Sequence, residues 1–268
     1  MYIHMYVYIH TYVSIFLCTY TCTQQVPCAV IVPHTTPASK IKNMQRYGSD
    51  VILCEPTQQA RTATSSWEAA QRGAVLVHPY NDPVVIAGQG TIGLELLAQV
   101  PHLDAVLVPT SGGGMITGIA TAMPNCRIIA CEPVGKRLED SLAAGTRIVD
   151  PAIADAALET IADAIRTQPL GEIPWVLAQA LLDRTVISVT DEQIRSAMRI
   201  SLLEMKQAVE PAGAVALAAL LSPAFAAVRE AGVVGHDGKR RPLRNVAAII
   251  CGGNFDPEEL VRAVRSCT

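Results

Sequence analysis

Short apolar runs alternate with amphipathic segments along the chain from Val26 onward. A strand that is buried on both faces reads as a nearly continuous apolar run, whereas a helix spaces its apolar residues three or four apart. The predicted strands cover residues 28–33, 50–56, 74–79, 104–110, 127–133, 186–190 and 245–254. The predicted helices cover residues 38–47, 57–72, 91–100, 115–123, 150–166, 191–209 and 212–221, with a last helix after Asp256. The alternation predicts an α/β protein with a parallel sheet and helices on both faces.

Residues 1–25 follow a different pattern. Met, Ile, Val or Thr alternates with Tyr or His over residues 1–13, and five of the seven tyrosines lie within residues 1–20. A translated purine–pyrimidine repeat explains this alternation better than a half-buried strand does. The segment starts without Lys or Arg, and polar residues interrupt its apolar stretches, which disfavours a secretory signal or a membrane span. We therefore expect residues 1–25 to be a low-complexity segment outside the fold.

The charge and the cysteine content limit which ligands and partners the protein can be expected to bind. The net charge is −3 and no basic stripe occurs, so the sequence predicts no nucleic-acid partner. The eight cysteines form no CxxC pair and no zinc-like spacing with histidine. Buried, reduced thiols of a cytoplasmic protein are the expectation.

The sharpest chemical signal is VLVPTSGGGMITG at residues 106–118. A buried strand ends in three successive glycines and a helix begins at once, so backbone amides and the helix N-terminus can cradle an anion. The spacing matches neither the GxGxxG dinucleotide fingerprint nor a GK[ST] P-loop. The stretch therefore indicates a phosphate monoester, although a plain glycine turn before a helix is the structural alternative.

Four further motifs occur in register with this loop: HPYNDPVVIAGQGTIGLELL (78–97), ETIADAIRTQPLGE (159–172), EPAGAVALAAL (210–220) and CGGNFD (251–256). Together they resemble the serine racemase and threonine/serine dehydratase family of pyridoxal-phosphate enzymes. The resemblance implies the tryptophan-synthase-β fold, called fold type II, with two lobes. Residues 26–83 would be the remainder of the small domain and residues 84–268 the large cofactor-binding domain, with the first part of the family fold missing.

The resemblance also implies roles for individual residues. The family's loop that holds the cofactor phosphate matches Ser111, Gly112, Gly113, Gly114 and Met115. Cys251 matches the residue that faces the pyridine nitrogen, Glu210 and Gly213 match neighbours of the cofactor ring, and Arg61 matches an arginine near the substrate entrance. Without the resemblance, Cys251 would be read as an inert buried thiol and Arg61 as a solvated helix charge.

A divalent cation, Mg²⁺ or Ca²⁺, is implied at Glu132, which matches one carboxylate of the family's metal site. Lys136 and Leu138 stand where racemases have further ligands, and a lysine supplies no oxygen to a cation. A shifted site could use Glu139 or Asp140. Ala164 replaces a glycine of many members, which would crowd the substrate side slightly.

The family's cofactor-binding lysine lies in a Ser-Phe-Lys-x-Arg-Gly segment, and a Ser-Ser-Gly-Asn loop follows it; neither occurs in these 268 residues. The five lysines are Lys40, Lys42, Lys136, Lys206 and Lys239, and we nominate none of them as a substitute nucleophile. On this basis we expect the chain as written not to catalyse amino-acid turnover.

Two hypotheses about function follow. In the first, the sequence is an incomplete version of an enzyme that dehydrates or racemises L-serine or L-threonine with pyridoxal phosphate. In the second, the chain is an inactive relative that binds the cofactor or another phosphate. A cysteine synthase relative is a third option that the IAGQGTIGLE stretch disfavours. Dehydratase and racemase stay open, although Tyr80 and the TQPLGE stretch look dehydratase-like, and family members are commonly homodimers.

Overall fold

The computed structural model describes residues 27–149, 158–167, 169–234, 239–254 and 257–265. The predicted low-complexity segment lies outside the described residues. The first half of the predicted 150–166 helix and the predicted cap Asp256 also lie outside them.

Parallel strands form the sheets that organise the chain, as predicted. The strands are β1 (Ala29–Pro33), β2 (Asp50–Cys54), β3 (Ala105–Pro109), β4 (Arg127–Pro133), β5 (Val186–Val189), β6 (Val233–Val234), β7 (Arg240–Arg241) and β8 (Val246–Ala248). β1 and β2 pair with each other, while the larger sheet has the order β5-β4-β3-β8. The carboxyl ends of β4, β3 and β8 therefore meet at one edge of the larger sheet, where ligands bind in open α/β sheets.

Ten α-helices and one 3₁₀ turn lie between and beside these strands within the described residues. The helices are α1 (Ala38–Arg46), α2 (Gln58–Arg72), α3 (Pro83–Gln99), α4 (Gly114–Ala122), α5 (Leu138–Ala144), α6 (Glu172–Leu181), α7 (Asp191–Leu203), α8 (Pro211–Leu220), α9 (Pro223–Ala231) and α10 (Pro257–Arg265). The 3₁₀ turn covers Asp163–Ile165.

Local sequence explains where several helices begin and end. Thr57 caps α2 by accepting a hydrogen bond from the amide of Ala60, and Gly73 ends that helix in the left-handed conformation. α7 has a capping box between Thr190 and Gln193. The predicted cap, Asp191, is instead the first residue of that helix, where its charge favours the positive end of the helix dipole.

The structure corrects other predicted elements. Residues 74–79 are not a strand, since no strand of the described residues pairs with this apolar run and Val75 is 88% exposed. α3 begins at Pro83 rather than at residue 91, because Asp82 caps it. In the described part of 150–166 only the 3₁₀ turn forms, and residues 232–241 contain the antiparallel pair β6–β7 instead of loop alone.

The glycines within α3 serve its packing against α4. A Cβ on Gly90 would lie 2.8 Å from the carbonyl oxygen of Gly118, so the glycine lets α3 approach α4 closely rather than breaking the helix. This close packing fixes α4, and with it the loop before α4, against the rest of the domain.

The core lies on both faces of the larger sheet. Every residue of β3 is buried, and α8 has nine buried residues, Pro211 to Ala219. Among the described helices no single one is long and apolar enough to cross a membrane, and only the bent pair α8–α9 passes by length and composition.

Candidate active site

The glycine loop lies at the carboxyl end of β3, as predicted. Ser111 follows Thr110, and Gly113 has φ +97° and stands as the N-cap of α4. No side chain caps this helix, so its first turn presents backbone amides and the positive end of its dipole. The loop is therefore built as an anion site.

Close packing explains why the loop needs three glycines. A Cβ on Gly112 would lie 2.3 Å from the ring of Tyr80, and one on Gly113 would lie 2.7 Å from Pro174. The carbonyl of Gly112 also accepts a hydrogen bond from the amide of Gly171, at 2.9 Å. Larger residues would push the loop away from Tyr80 and α6.

Cys251 and Glu210 meet at the neighbouring strand end, after β8. The amide of Glu210 donates to the carbonyl of Gly252 at 2.9 Å, and a Cβ on Gly213 would lie 1.4 Å from the carbonyl oxygen of Cys251. Burial, and then the charge of Glu210, raises the pKa of the Cys251 thiol to about 12. The thiol is consequently neutral at physiological pH.

α1 reaches across to the larger sheet through two side chains. The ammonium of Lys40 donates to both carboxylate oxygens of Asp163, at 2.8 and 2.6 Å, and lies 3.7 Å from Glu210 Oε2. Asn43 donates from its side chain to Asn254 Oδ1 at 2.7 Å. One face of α1 thus ties the β1–β2 unit to the edge of the larger sheet that carries the loop.

A cavity of about 710 Å³ opens beside the glycine loop, and residues that pack on the loop, such as Tyr80 and Leu170, line it. The predicted cofactor-binding residues Ser111 to Met115, Glu210 and Cys251 are not among its lining residues. Its volume is that of a typical small-molecule site. The charged side chains that line it are Lys40, Arg61, Arg147, Asp163, Arg166 and Glu172. Arg61 differs from the other cations in that its buried Nε has no hydrogen-bond partner in the described part of the chain. Because this Nε is buried, a ligand carboxylate in the cavity would have to bind the terminal nitrogens of the guanidinium instead.

His78 shapes the cavity wall beside the loop. Its Nδ1 accepts the amide of Asn81 at 2.9 Å, and its ring meets Tyr80 edge-on with centroids 4.6 Å apart. Burial lowers the pKa of His78, against the charge of Asp82. An accepting Nδ1 and a lowered pKa both indicate the neutral ring with its proton on Nε2.

Comparison with known proteins identifies the family. The model of the family described as pyridoxal-phosphate dependent enzymes matches residues 18–252, and so begins within the predicted low-complexity segment. Serine racemase of Arabidopsis thaliana is 38% identical over 237 residues, 87% of this chain and 67% of that protein. The chain belongs to the serine racemase and dehydratase family of pyridoxal-phosphate dependent enzymes.

Two other relatives support the same family and fold. The beta-hydroxyaspartate dehydratase of Paracoccus denitrificans is 37% identical over 88% of this chain and 70% of its own length. The structure of maize serine racemase superposes with a TM-score of 0.80 at 35% identity, covering 97% of this chain and 77% of the maize chain. The predicted fold type II architecture is thereby confirmed. The chain spans about two thirds of the length of the Arabidopsis protein.

The residues present fit pyridoxal phosphate at this site. The phosphate would be held by the amides of Ser111 to Met115 at the uncapped start of α4. The carboxyl ends of β3 and β8, which are neighbours, bring Cys251 and Glu210 to the same sheet edge as the loop. The individual contacts predicted for these residues stay predictions.

The predicted cation site does not fit a metal ion. Glu132 is fully buried; its Oε1 accepts from the Leu138 amide at 3.4 Å, and its Oε2 has no hydrogen-bond partner in the described structure. Burial raises the pKa of Glu132 and lowers that of Lys136, while each charge opposes the shift of the other group. The described residues contain no group of three His, Cys, Asp or Glu side chains that could hold a metal.

Sequence reasoning missed several residues of the site. Lys40 and Asp163 stand 123 positions apart and carry no motif that announces their contact. The sequence marks Tyr80 only as dehydratase-like, yet its ring packs on the glycine loop. The Lys-x-x-Asn spacing of Lys40 and Asn43 places both on one helix face, and this was the one available signal.

Proposed function

We propose that the protein catalyses the pyridoxal-phosphate dependent dehydration or racemisation of a small hydroxy amino acid, such as L-serine or L-threonine. The observation that carries the proposal is the Ser111–Met115 loop at the carboxyl end of β3, next to the Cys251 turn and beside a cavity of fitting volume. The names of the relatives support the reaction class. They give no support to an inactive relative, because each is named as an enzyme.

When bound, pyridoxal phosphate supplies an electron sink for the electron pair left on an amino acid that loses its α-proton. The loop amides and the dipole of α4 bind the phosphate. Cys251, as a neutral thiol, places no negative charge at the ring nitrogen and so does not stabilise a proton there. Arg61 offers its guanidinium to a substrate carboxylate from the cavity wall.

The amine that would bond to the cofactor is not assigned to any lysine of these 268 residues. Lys40 is the lysine that lines the cavity, and its nitrogen is held in two hydrogen bonds by Asp163. Lys136 bonds to backbone carbonyls below the loop. Lys42, Lys206 and Lys239 are exposed. Sequencing the transcript from its 5′ end shows whether the family's lysine segment precedes residue 26 in the natural protein.

The test of the proposal uses loop variants of the protein that this transcript encodes. Ser111→Asp places a negative charge at the phosphate site, and Ser111→Ala is its neutral counterpart. Gly88→Asp adds the same charge on α3, where a side chain meets nothing within 4 Å. We expect Ser111→Asp to weaken cofactor binding roughly ten-fold or more, since two like charges would share one site. We expect the other two variants to bind as the wild type does.

Cofactor affinity is measured by the change in absorbance on titration with pyridoxal phosphate. Release of 2-oxo acid and formation of the D-enantiomer from L-serine and L-threonine then separate dehydration from racemisation. Equal affinity of Ser111→Asp and wild type would remove the loop from the phosphate site. Binding without either product would leave a cofactor-binding protein and refute the proposed reaction.

Cellular location and assembly are further parts of the proposal. A cytoplasmic location is supported by the free thiols of Cys28, Cys54, Cys126, Cys131 and Cys251. A homodimer is supported by the common state of family members. Cell fractionation and light scattering on the purified protein test the two statements.

A further inference from the structure

Three separate segments bring oxygen atoms to the interior below the glycine loop. The carbonyl of Thr110, directly before the loop, accepts a hydrogen bond from Lys136 Nζ at 2.9 Å. The carbonyl of Ile165, at the end of the 3₁₀ turn, lies 3.5 Å from the same nitrogen. The carboxylate of Glu132, at the end of β4, is buried in the same interior but makes no direct salt bridge to Lys136 in the described structure. Its charge acts on Lys136 at longer range and opposes the lowering of the lysine pKa by burial.

The buried carboxylate of Glu132 requires a positive charge in its surroundings. Glu132 is 0% exposed, and its Oε2 has no hydrogen-bond partner in the described structure. A buried carboxylate is costly unless a cation or several donors compensate it. Carbonyl and carboxylate oxygens are also the ligands that Mg²⁺ and Ca²⁺ prefer. The surroundings are thus those of a cation site.

The local backbone sends the side chain of Lys136 into this position. Gly135 has φ +102°, and the turn closes with the amide of Lys136 donating to the carbonyl of Pro133 at 3.4 Å. The turn folds the lysine back below β3, where its side chain is buried with 8% of the residue exposed. A residue with a Cβ at position 135 would be strained, since its φ lies in the region that favours glycine.

The other carboxylates that could serve a metal ion point elsewhere. Glu139 and Asp140 are exposed, and Asp140 accepts a hydrogen bond from Arg137 at 2.8 Å. A divalent cation needs about six to eight oxygen ligands, and an ammonium that already bonds two of the carbonyls would repel it.

We propose that the ammonium of Lys136 is a built-in replacement for the divalent cation that relatives hold beside the carboxylate matching Glu132. The chain therefore neither binds nor needs Mg²⁺ or Ca²⁺ at this place. The lysine holds Thr110, which precedes the loop, and Ile165, which lies two residues from Asp163. It thus fixes the position of the strand end before the glycine loop and of the 3₁₀ turn that carries Asp163. The inference does not rest on the proposed reaction, because its test is read from binding and stability alone.

The experiment compares the full chain with Lys136→Ala and Lys42→Ala. Lys42 is an exposed lysine with which to match the loss of one charge. Calorimetric titration with CaCl₂ and MgCl₂ measures binding, and thermal unfolding is followed in EDTA and in each salt. For the wild type we expect no binding heat and no change of the melting temperature. In EDTA, Lys136→Ala should melt on the order of 10 °C below Lys42→Ala, since it leaves a buried carboxylate uncompensated.

The variant should also gain a response that the wild type lacks. We expect CaCl₂ to raise the melting temperature of Lys136→Ala, because the oxygen atoms then face an empty space that a cation can enter. Stoichiometric binding of either ion by the wild type would overturn the inference. So would a Lys136→Ala chain that melts like the control, or one that melts lower without any response to cations. If Lys136→Ala does not fold in EDTA, refolding with and without CaCl₂ gives the same comparison, and the wild-type titration decides independently.

Discussion

Replacement of Lys40 by Met would remove the charge that ties α1 to the larger sheet. The ammonium makes hydrogen bonds of 2.8 and 2.6 Å to Asp163 and lies 3.7 Å from Glu210. The side chains of Lys40 and Asp163 are 14% and 18% exposed. Exposed ion pairs contribute about 0–1 kcal/mol to the free energy of unfolding, whereas breaking a buried pair lowers it by about 3–5 kcal/mol.

At this depth of burial we place the loss of unfolding free energy at about 2–3 kcal/mol, which is nearer to the buried case. For a chain of this size each kcal/mol corresponds to about 2–4 °C, so the melting temperature should fall by about 4–12 °C. Lys42→Met is the matched control, because Lys42 stands two positions away on the same helix and is exposed. It should melt like the wild type.

Thermal unfolding followed by circular dichroism measures both variants. A double-mutant cycle with Asp163→Asn isolates the pair and should give a coupling free energy above about 1 kcal/mol. The reasoning is refuted if Lys40→Met and Lys42→Met melt together, or if the cycle shows no coupling.

Three other predictions concern the same sheet edge. Gly213→Ala should lower the melting temperature strongly or abolish soluble protein, since its Cβ would lie 1.4 Å from the Cys251 carbonyl oxygen. Gly88→Ala is the control, because a Cβ at that position meets nothing within 4 Å, and equal melting temperatures of the two variants would contradict the packing. Cys251 should escape iodoacetamide at pH 8 in the folded chain, because a pKa of about 12 leaves about one thiol in ten thousand ionised; rapid labelling seen by mass spectrometry would disprove this. The folded-state pKa of His78 lies below its usual 6.5, so the stability that this residue contributes is present above that pH and is lost as the pH falls below it; an NMR titration midpoint at or above 6.5 would contradict the assignment.

The sequence alone determined the parallel α/β architecture and the place of the glycine loop. Both are local properties: an apolar run that ends in glycines before a helix specifies a strand, a turn and an uncapped helix start without reference to the rest of the chain. Several helix ends were predictable for the same reason, such as the Gly73 end of α2.

Where the formation of a helix or strand depends on neighbouring elements, the sequence alone did not predict it correctly. The 74–79 run has strand-like composition, but no described strand pairs with it, and its apolar residues Val75, Leu76 and Val77 are exposed. The predicted helix begins at residue 91, whereas α3 begins at Pro83 and includes Gly90, whose close contact with Gly118 leaves no room for a side chain. Burial and pairing are properties of the assembled fold, so no local pattern could distinguish these cases.

The residues of the site also fall into those that the sequence identified and those that only the tertiary structure revealed. Motifs in the sequence determined which residues form the loop and the Cys251 turn, because each is a contiguous stretch. Only the tertiary structure decided that Lys40 meets Asp163 and that Lys136 lies below the loop beside Thr110 and Ile165. These contacts join residues 26 to 123 positions apart, and chain folding, rather than any pattern along the chain, brings their charges together.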